Sequence, residues 1–454
     1  MEYSLPKEAQ QVFDKFTKAG FEIYLVGGAV RDLLLGKPLE DLDFTTNAKP
    51  EEILKLFPKG FYDNIFGTVG IPIGKKVTYE ITTYRSEKGY SDRRHPDKVF
   101  WGKNLREDLK RRDFTIDAIA LGPGPKMGKL QLVDLFAGLG DLKNKIVKCV
   151  GNPEERFQED ALRLIRAVRI ATQLKFLIEE NTFAAIKKNA HLIKEVSGER
   201  VREELFKILK TNHPADGFQL LFNCGLLEQI LPELARGYGM AQAKHHQYDV
   251  FKHSLESLRH CQSPDPLVRL ATLIHDIGKP VTALGVGENR TFYNHEVVGA
   301  SIARNIARRL SFSKKDREKL VTLVRWHQFT VDEHQTDKAI RRFIHHVGRE
   351  NLKDMIDLRI GDRLGGGCIE ATSWRLRRFM KRLIEVQKQP FSIRDLKVNG
   401  HDVMKIFGIE PGPKVGEVLQ ALFEEVEEDI NKNKRGYLLK RIKDFAKAEG
   451  RTTD

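Results

Sequence analysis

The sequence predicts an α/β head followed by an elongated all-α body. Strand-like runs are confined to residues 1 to about 148. Beyond Asn152 the apolar residues recur with the 3.6-residue period of amphipathic helices. No internal repeat and no long low-complexity linker interrupts the chain. At roughly 150 residues per domain, 454 residues suggest about three domains. The breaks in pattern divide the chain into a head (1–148), a helical neck (149–236), a second helical block (237–365) and a helical tail (366–454).

In chain order, the strand-like runs are EIYLVGG, LDFTT, GTVGIPI, VTYEITTYR, DFTIDAIAL and LQLVDLF. Helical spacing then governs ERFQEDALRLIRAVRIATQL, SGERVREELFKILK and FQLLFNCGLLEQILPEL. A break at ARGYGMAQAKHHQ precedes a helical block from Val250 to about Leu364, which Gly365, Gly366 and Gly367 end. The tail carries basic runs on helical spacing, SWRLRRFMKRLIEV and NKNKRGYLLKRIKDFAK, which suit an RNA phosphate backbone or a solvated helix face.

Composition narrows the function classes. Apolar residues make up 41%, enough for sizeable cores, yet no run of about 18 of them occurs, so no membrane-spanning helix is expected. The start, MEYSLPKEAQQVF, lacks the apolar core of a signal peptide. The four cysteines (Cys149, Cys224, Cys261, Cys368) form no C-x-x-C pair, which argues against zinc fingers and disulfide frameworks and for the cytoplasm. Lysine and arginine number 77 against 63 acids, a surplus of +14 that favours a polyanionic partner such as nucleic acid.

The head carries a chemical signature. Gly27 and Gly28 stand between the strand EIYLV and the helix AVRDLLLG, an arrangement that lets phosphates approach the backbone. On its own the pair also fits a tight turn with Arg31 salt-bridged. The D-x-D that follows, Asp41 and Asp43, shifts the balance. Two carboxylates on one strand face repel unless a divalent cation lies between them. Mg²⁺ with substrate phosphate oxygens would satisfy both, and Glu80 in VTYEITTYR is the candidate third carboxylate, or else an exposed strand residue.

The ordered motifs GGAVRD, LEDLDFTT, KRRDFTIDAIA and RFQEDALRLIRAVRIA resemble those of class II tRNA nucleotidyltransferases, the CCA-adding enzymes of the polymerase-beta-like group, continuously over residues 21 to about 210. The resemblance implies a mixed-sheet head, Mg²⁺ held by Asp41 and Asp43, and nucleotide phosphate contacts from Gly28 and Arg31, with Arg112 a further contact. It implies CTP, ATP and the tRNA 3′ end as partners. It also identifies the charged segment 86–109 with a loop used in switching from C to A addition. The family shows Asn where this chain has Asp117, which leaves that position's inherited role open. An A-adding enzyme and a poly(A) polymerase are the near alternatives.

Base choice has a physical reading of its own. Cytosine and adenine each present an amino donor beside a ring-nitrogen acceptor, so an aspartate and an arginine together fit both. Uracil and guanine would leave both protein groups unpaired, which is costly when buried. On one continuous helix Asp160 and Arg163 are close neighbours and suit that task, or form an ordinary salt-bridged face. The resemblance assigns Glu159, Asp160 and Arg163 to base recognition. Arg166 and Arg169 are further nucleotide candidates, Arg169 equally suited to phosphate, tRNA or an internal salt bridge.

Downstream, His253, His275, Asp276, His295, His327 and Asp362 fall in the order H…HD…H…H…D. This resembles HD-domain metal phosphohydrolases, which some class II tRNA nucleotidyltransferases carry. The resemblance implies a divalent transition metal (Ni, Mn, Fe or Zn) and hydrolysis of 2′,3′-cyclic or 2′-phosphate ends, with an inactive structural domain as the alternative. A metal phosphohydrolase whose head only binds nucleotide or RNA is the rival from another class.

Overall fold

The computed structural model describes the whole chain except residues 1–2, 4, 40, 65–66, 74–76, 89–97, 103, 125–128, 243–246, 330, 333, 388–392 and 451–454. Residues 89–97 and 103 of the expected switching segment 86–109 therefore lie outside the described residues. None of the described helices is long and apolar enough to cross a membrane.

The head is a mixed sheet with helices, as expected. Its strands are β1 (Ile23–Val26), β2 (Asp43–Thr46), β3 (Phe61–Asn64), β4 (Thr68–Ile73), β5 (Val77–Thr83), β6 (Arg85–Lys88), β7 (Lys98–Trp101), β8 (Ile119–Pro123) and β9 (Leu130–Asp134). Seven form one sheet in the order β3-β4-β5-β2-β1-β8-β9, and β6 pairs with β7 separately. Only β2 and β5 run parallel within the large sheet; its other pairs are antiparallel. Helix Lys7–Lys18 buries Phe13 and Phe16 against the sheet, with Phe13 edge-on to Phe44 at 5.5 Å. Alternation along β2 sends Phe44 into this core while Asp43 stays at the strand start.

Two local expectations change. DFTIDAIAL is not one strand: Thr115–Asp117 form a 3-10 turn, which buries Asp117, before β8 begins. ERFQEDALRLIRAVRIATQL is not one helix: helix Pro153–Glu159 stops, Asp160 is extended (φ −141°, ψ 105°), and helix Leu162–Leu174 restarts. The break has a cause in the side chain, since Asp160 Oδ1 accepts from the Leu162 N–H at 3.1 Å and competes with helix continuation.

Beyond the head the described residues form helices and their connections, apart from the short pair Ile146–Val147 with Leu177–Ile178 and an isolated bridge between Leu284 and Thr291. One apolar core runs from Phe114 to Val386, across the divisions expected at 148, 236 and 365. The tail has a separate core from Leu396 to Ala446. Within the large core, helices Val250–His260 and Leu352–Gly365 pack closely through glycines. A Cβ on Gly365 would lie 2.4 Å from the Ser257 nitrogen, and one on Gly361 2.8 Å from the Ser257 carbonyl.

Candidate active site and candidate metal centre

At the edge of β1, Gly27 takes φ +74°, a conformation in which a side chain is strained. A Cβ there would also come within 3.1 Å of Arg112 Nη1 and 3.9 Å of Asp43 Oδ2. Bare backbone, Arg112 and Asp43 therefore share one corner. Asp41 precedes β2 rather than lying within it, a correction to the expected shared strand face. The two carboxylates still line one cavity of about 380 Å³, together with Gly28, Arg31, Lys37 and Arg169. Glu80 is the register partner of Asp43 on the parallel neighbour β5, so it projects from the same face.

Electrostatics in this corner favour a cation. Loss of water around Asp43 pushes its carboxyl above the usual range, and Asp41 adds to the rise while Arg112 opposes it. Arg112 is held loosely by Asp108 at 3.6 Å, and its buried Nε has no hydrogen-bond partner among the described residues. Arg31 is committed more firmly than expected. It grips Asp32 through Nε and Nη2, both at 3.0 Å, and donates from Nη1 to Asp117 at 2.7 Å. The added charge at Asp117 is thus spent on Arg31. Burial pushes the Asp117 carboxyl up, Arg31 pulls it down, and Asp113 raises it again.

The residues expected to read the base do not form the expected side-chain pair. Arg163 and Asp160 touch through the backbone, Arg163 N–H to Asp160 carbonyl at 3.0 Å, but their side chains go elsewhere. Arg163 Nη1 donates to Glu159 Oε2 at 2.6 Å, and Asp160 Oδ2 accepts from Arg200 at 3.0 Å. Arg166 pairs with Asp113 at 2.7 Å, and Arg169 with Glu204 at 2.7 Å. Of the readings open for Arg169, the internal salt bridge is present, and the residue still lines the Asp41–Asp43 cavity. Sequence reasoning missed Arg200 and Glu204. Both lie on helix Gly198–Leu209, distant in sequence, and only their spacing of four on one helix face hinted at a shared task.

The six downstream residues come from five helices and meet. His253 lies in helix Val250–His260 and Asp362 in helix Leu352–Gly365, while His275 and Asp276 follow helix Pro266–Ile274. His295 opens helix His295–Arg309, and His327 ends helix Lys314–Trp326. Asp276 sits between two groups. Its Oδ2 is 3.4 Å from His253 Nε2 and 3.2 Å from His275 Nε2. Its Oδ1 is 3.2 Å from His295 Nε2 and 3.6 Å from His327 Nε2. Asp362 Oδ1 closes the first group at 3.3 Å from His253. Each triad, His253–His275–Asp276 and Asp276–His295–His327, is compact enough to hold a metal ion.

The outer hydrogen bonds suit ligation. Nδ1 of His275, His295 and His327 lies 2.7–2.8 Å from the carbonyl three residues earlier, of Thr272, Phe292 and Val324. A carbonyl can only accept, so each Nδ1 carries the hydrogen and Nε2 turns a lone pair inward. Facing nitrogens at 3.2 Å (His253–His275) and 3.3 Å (His295–His327) then need a proton or a cation between them. Burial disfavours a charged His275, but Asp276 and Asp362 outweigh it and lift the imidazole to about 10. Burial, aided by the charge of His275 and opposed by Asp276, pushes His327 down. Asp276 and Asp362 are held well below the carboxylate range against their burial, His275 contributing to both. Lys279, unmarked in the sequence reading although one turn past Asp276, bonds Asp276 Oδ2 at 2.5 Å and Gln242 at 2.7 Å.

Comparison with known proteins gives a consistent picture. Residues 23–148 match the family described as the poly A polymerase head domain, 175–237 the RNA- and SrmB-binding site of polymerase A, and 297–442 tRNA nucleotidyltransferase domain 2. The Lactobacillus helveticus CCA-adding enzyme is 49% identical over 229 residues, 50% of this chain and 56% of its own. The chain thus aligns with only about half the length of that relative. The Lactococcus lactis subsp. lactis CCA-adding enzyme is 33% identical over 449 residues, 97% of this chain and 98% of its own. The crystal structure of the Bacillus stearothermophilus CCA-adding enzyme with CTP superposes with a TM-score of 0.72 at 26% identity, covering 98% of both chains.

Proposed function

The chain belongs to the CCA-adding enzyme family, and from that premise we propose that it adds C, C and A to the 3′ end of tRNA, using CTP and ATP and releasing pyrophosphate. The observation that carries this reading is the single cavity in which Asp41, Asp43, Gly28 and Arg31 face Arg169 of the helix that begins beside Asp160. Asp41 and Asp43, with Glu80 beside them, would hold Mg²⁺. When bound, such a cation lowers the pKa of an attacking hydroxyl and balances the charge of the leaving pyrophosphate. The raised carboxyl of Asp43 supports the fit, because its ionised form lacks a sufficient counter-charge from the protein.

The chain's own groups do the rest. Gly27 and Gly28 keep the phosphate path free of side chains, and Arg112 has a donor to spare. Arg31, braced by Asp32 and Asp117, has two N–H groups left for phosphate. Asp160 accepts from the amino group of C or A on a lone pair left beside its bond to Arg200, and Arg163 donates to the ring nitrogen, exchanging Glu159 for the base. Arg200 and Glu159 keep both charges satisfied before the nucleotide arrives. The reaction belongs in the cytoplasm with its tRNA substrate.

A transcribed tRNA lacking its 3′ end, incubated with CTP alone, ATP alone and both, tests the reading. Two C residues with CTP, and a terminal A once ATP is added, are expected. A long A tail would make the protein a poly(A) polymerase, and A addition only onto a CC end an A-adding enzyme.

A second function, phosphohydrolysis at the downstream site, is favoured by the two triads that share Asp276. Imidazoles with carboxylates suit Ni, Mn, Fe or Zn, and a bound pair supplies activated water for attack on phosphorus. Lys279 and Arg359 put positive charge on the wall of a cavity of about 570 Å³ that opens onto the site. The substrates proposed are 2′,3′-cyclic and 2′-phosphate RNA ends. Protein loaded with Mn²⁺ or Ni²⁺ that hydrolyses neither would remove this function and leave the first intact.

A further inference from the structure

Beside the downstream cavity lies a cationic and aromatic surface without a task in either activity. Glu296, on the cavity wall, pairs with Arg325 at 3.6 Å. The Arg325 guanidinium lies 4.5 Å over the Trp326 ring, and Trp326 stacks on His346 at 4.3 Å with planes 13° apart. His345 and Arg342 adjoin the stack. His345 lies 6.0 Å from His346, and no carboxylate is within ion-pair distance of Arg342 among the described residues. Burial, then His345, Arg342 and Arg325, push the His346 imidazole down, which favours its neutral form. Arg325 and Arg342 thus flank a neutral indole–imidazole stack, and Glu296 is the carboxylate paired with Arg325.

The cavity lining also supplies an aromatic face, Tyr293, which is 74% exposed. Cations interleaved with aromatic faces match single-stranded nucleic acid, whose phosphates pair with the cations and whose bases stack. An acidic peptide offers charge but few planar groups.

We propose that Arg325, Arg342 and His345 form a phosphate track for single-stranded RNA, with bases stacked on Tyr293 and on the His346 ring, leading a 3′ end into the downstream cavity. The destination rests on the phosphohydrolase reading; the binding itself does not. Each phosphate contact to a single strand contributes a salt slope of about 0.7. Removing two cations should therefore flatten log Kd against log salt by about 1.4.

The test is photo-cross-linking of the full chain to a short single-stranded RNA carrying 5-iodouridine, mapped by peptide mass spectrometry. Adducts are expected on peptides holding Tyr293, Trp326 or His346. An Arg325→Ala/Arg342→Ala variant with an unchanged melting temperature should lose most of that yield and show the flatter salt slope, and Tyr293→Ala should lose the Tyr293 adduct without changing the slope. Adducts confined to the head or tail would overturn the proposal, as would competition by polyglutamate equal to that of RNA. Cross-links here without hydrolysis would sink the phosphohydrolase reading and keep the track. Hydrolysis without cross-links here would do the reverse.

Discussion

Asp160 is held by Arg200, not by Arg163: the Asp160 Oδ2 to Arg200 Nη2 distance is 3.0 Å, while Arg163 pairs with Glu159 at 2.6 Å. The group proposed to read the base is therefore braced by a helix that begins almost forty residues later, Gly198–Leu209. Its other oxygen caps helix Leu162–Leu174. Both oxygens are directed before any nucleotide enters.

Arg200→Met should then loosen base reading. A charge-assisted hydrogen bond is worth about 1.5–3 kcal/mol, so kcat/KM for CTP should fall roughly 10- to 100-fold, with discrimination against UTP narrowing. Arg200→Lys should restore part of it. Equal loss for all four nucleotides would make Arg200 merely structural.

Asp43→Asn should abolish nucleotide addition, on the order of 10³-fold or more, yet raise the melting temperature. The folded protein disfavours the ionised Asp43 carboxylate, so its stability contribution is fully present below the usual carboxyl value and is lost as pH rises from there through the raised folded value. A neutral amide removes that penalty at pH 7. A lower melting temperature would contradict the charge argument.

Glu204 should make the neck acid-sensitive. Burial would raise its pKa, but Arg169 and Lys207 more than offset this and hold it below the usual value. A depressed carboxyl adds stability that is present above its unfolded pKa of about 4.3 and lost as pH falls through the lower folded value. Urea midpoints of the wild type should drop more steeply on acidification through that window than those of Glu204→Gln. Parallel profiles would refute the assignment.

Metal stoichiometry should follow the sharing of Asp276. Asp276→Asn should remove both transition-metal ions from the downstream site, and His295→Ala one, when bound Mn²⁺ or Ni²⁺ is counted after dialysis. Nucleotide addition should persist in both variants. Loss of a single ion in Asp276→Asn would mean the triads are independent.

Gly365→Ala should weaken metal binding without touching a ligand. The new Cβ would meet the Ser257 backbone at 2.4 Å and push apart the helices that bring Asp362 to His253. Overpacking of this kind costs about 1–3 kcal/mol. Unaltered metal affinity together with lowered stability would show that Asp362 is not needed.

Much of this was legible in the sequence because it depends on local order. The strand–glycine–helix start and the D-x-D keep their chemistry within a few residues, and the H…HD…H…H…D series shows in the order of its residue types, although its members lie on five helices. What stayed hidden is long-range or conformational. The register of β2 against β5, which brings Glu80 to Asp43, is set by the parallel pairing of two strands more than thirty residues apart. The break at Asp160 arises because its side chain satisfies the Leu162 N–H, a choice that apolar periodicity cannot register. Partners such as Arg200, Glu204 and Lys279 look like ordinary surface charges until the helices are packed.

One nucleotide site is proposed to choose C and A through Asp160 and Arg163. Single-nucleotide incorporation into a tRNA lacking CCA, measured with CTP, ATP, UTP and GTP for the wild type and for Asp160→Ala/Arg163→Ala, tests it most directly. Retained nucleotide binding with UTP and GTP now incorporated is the predicted result. Selectivity unchanged from the wild type in the double variant would contradict it.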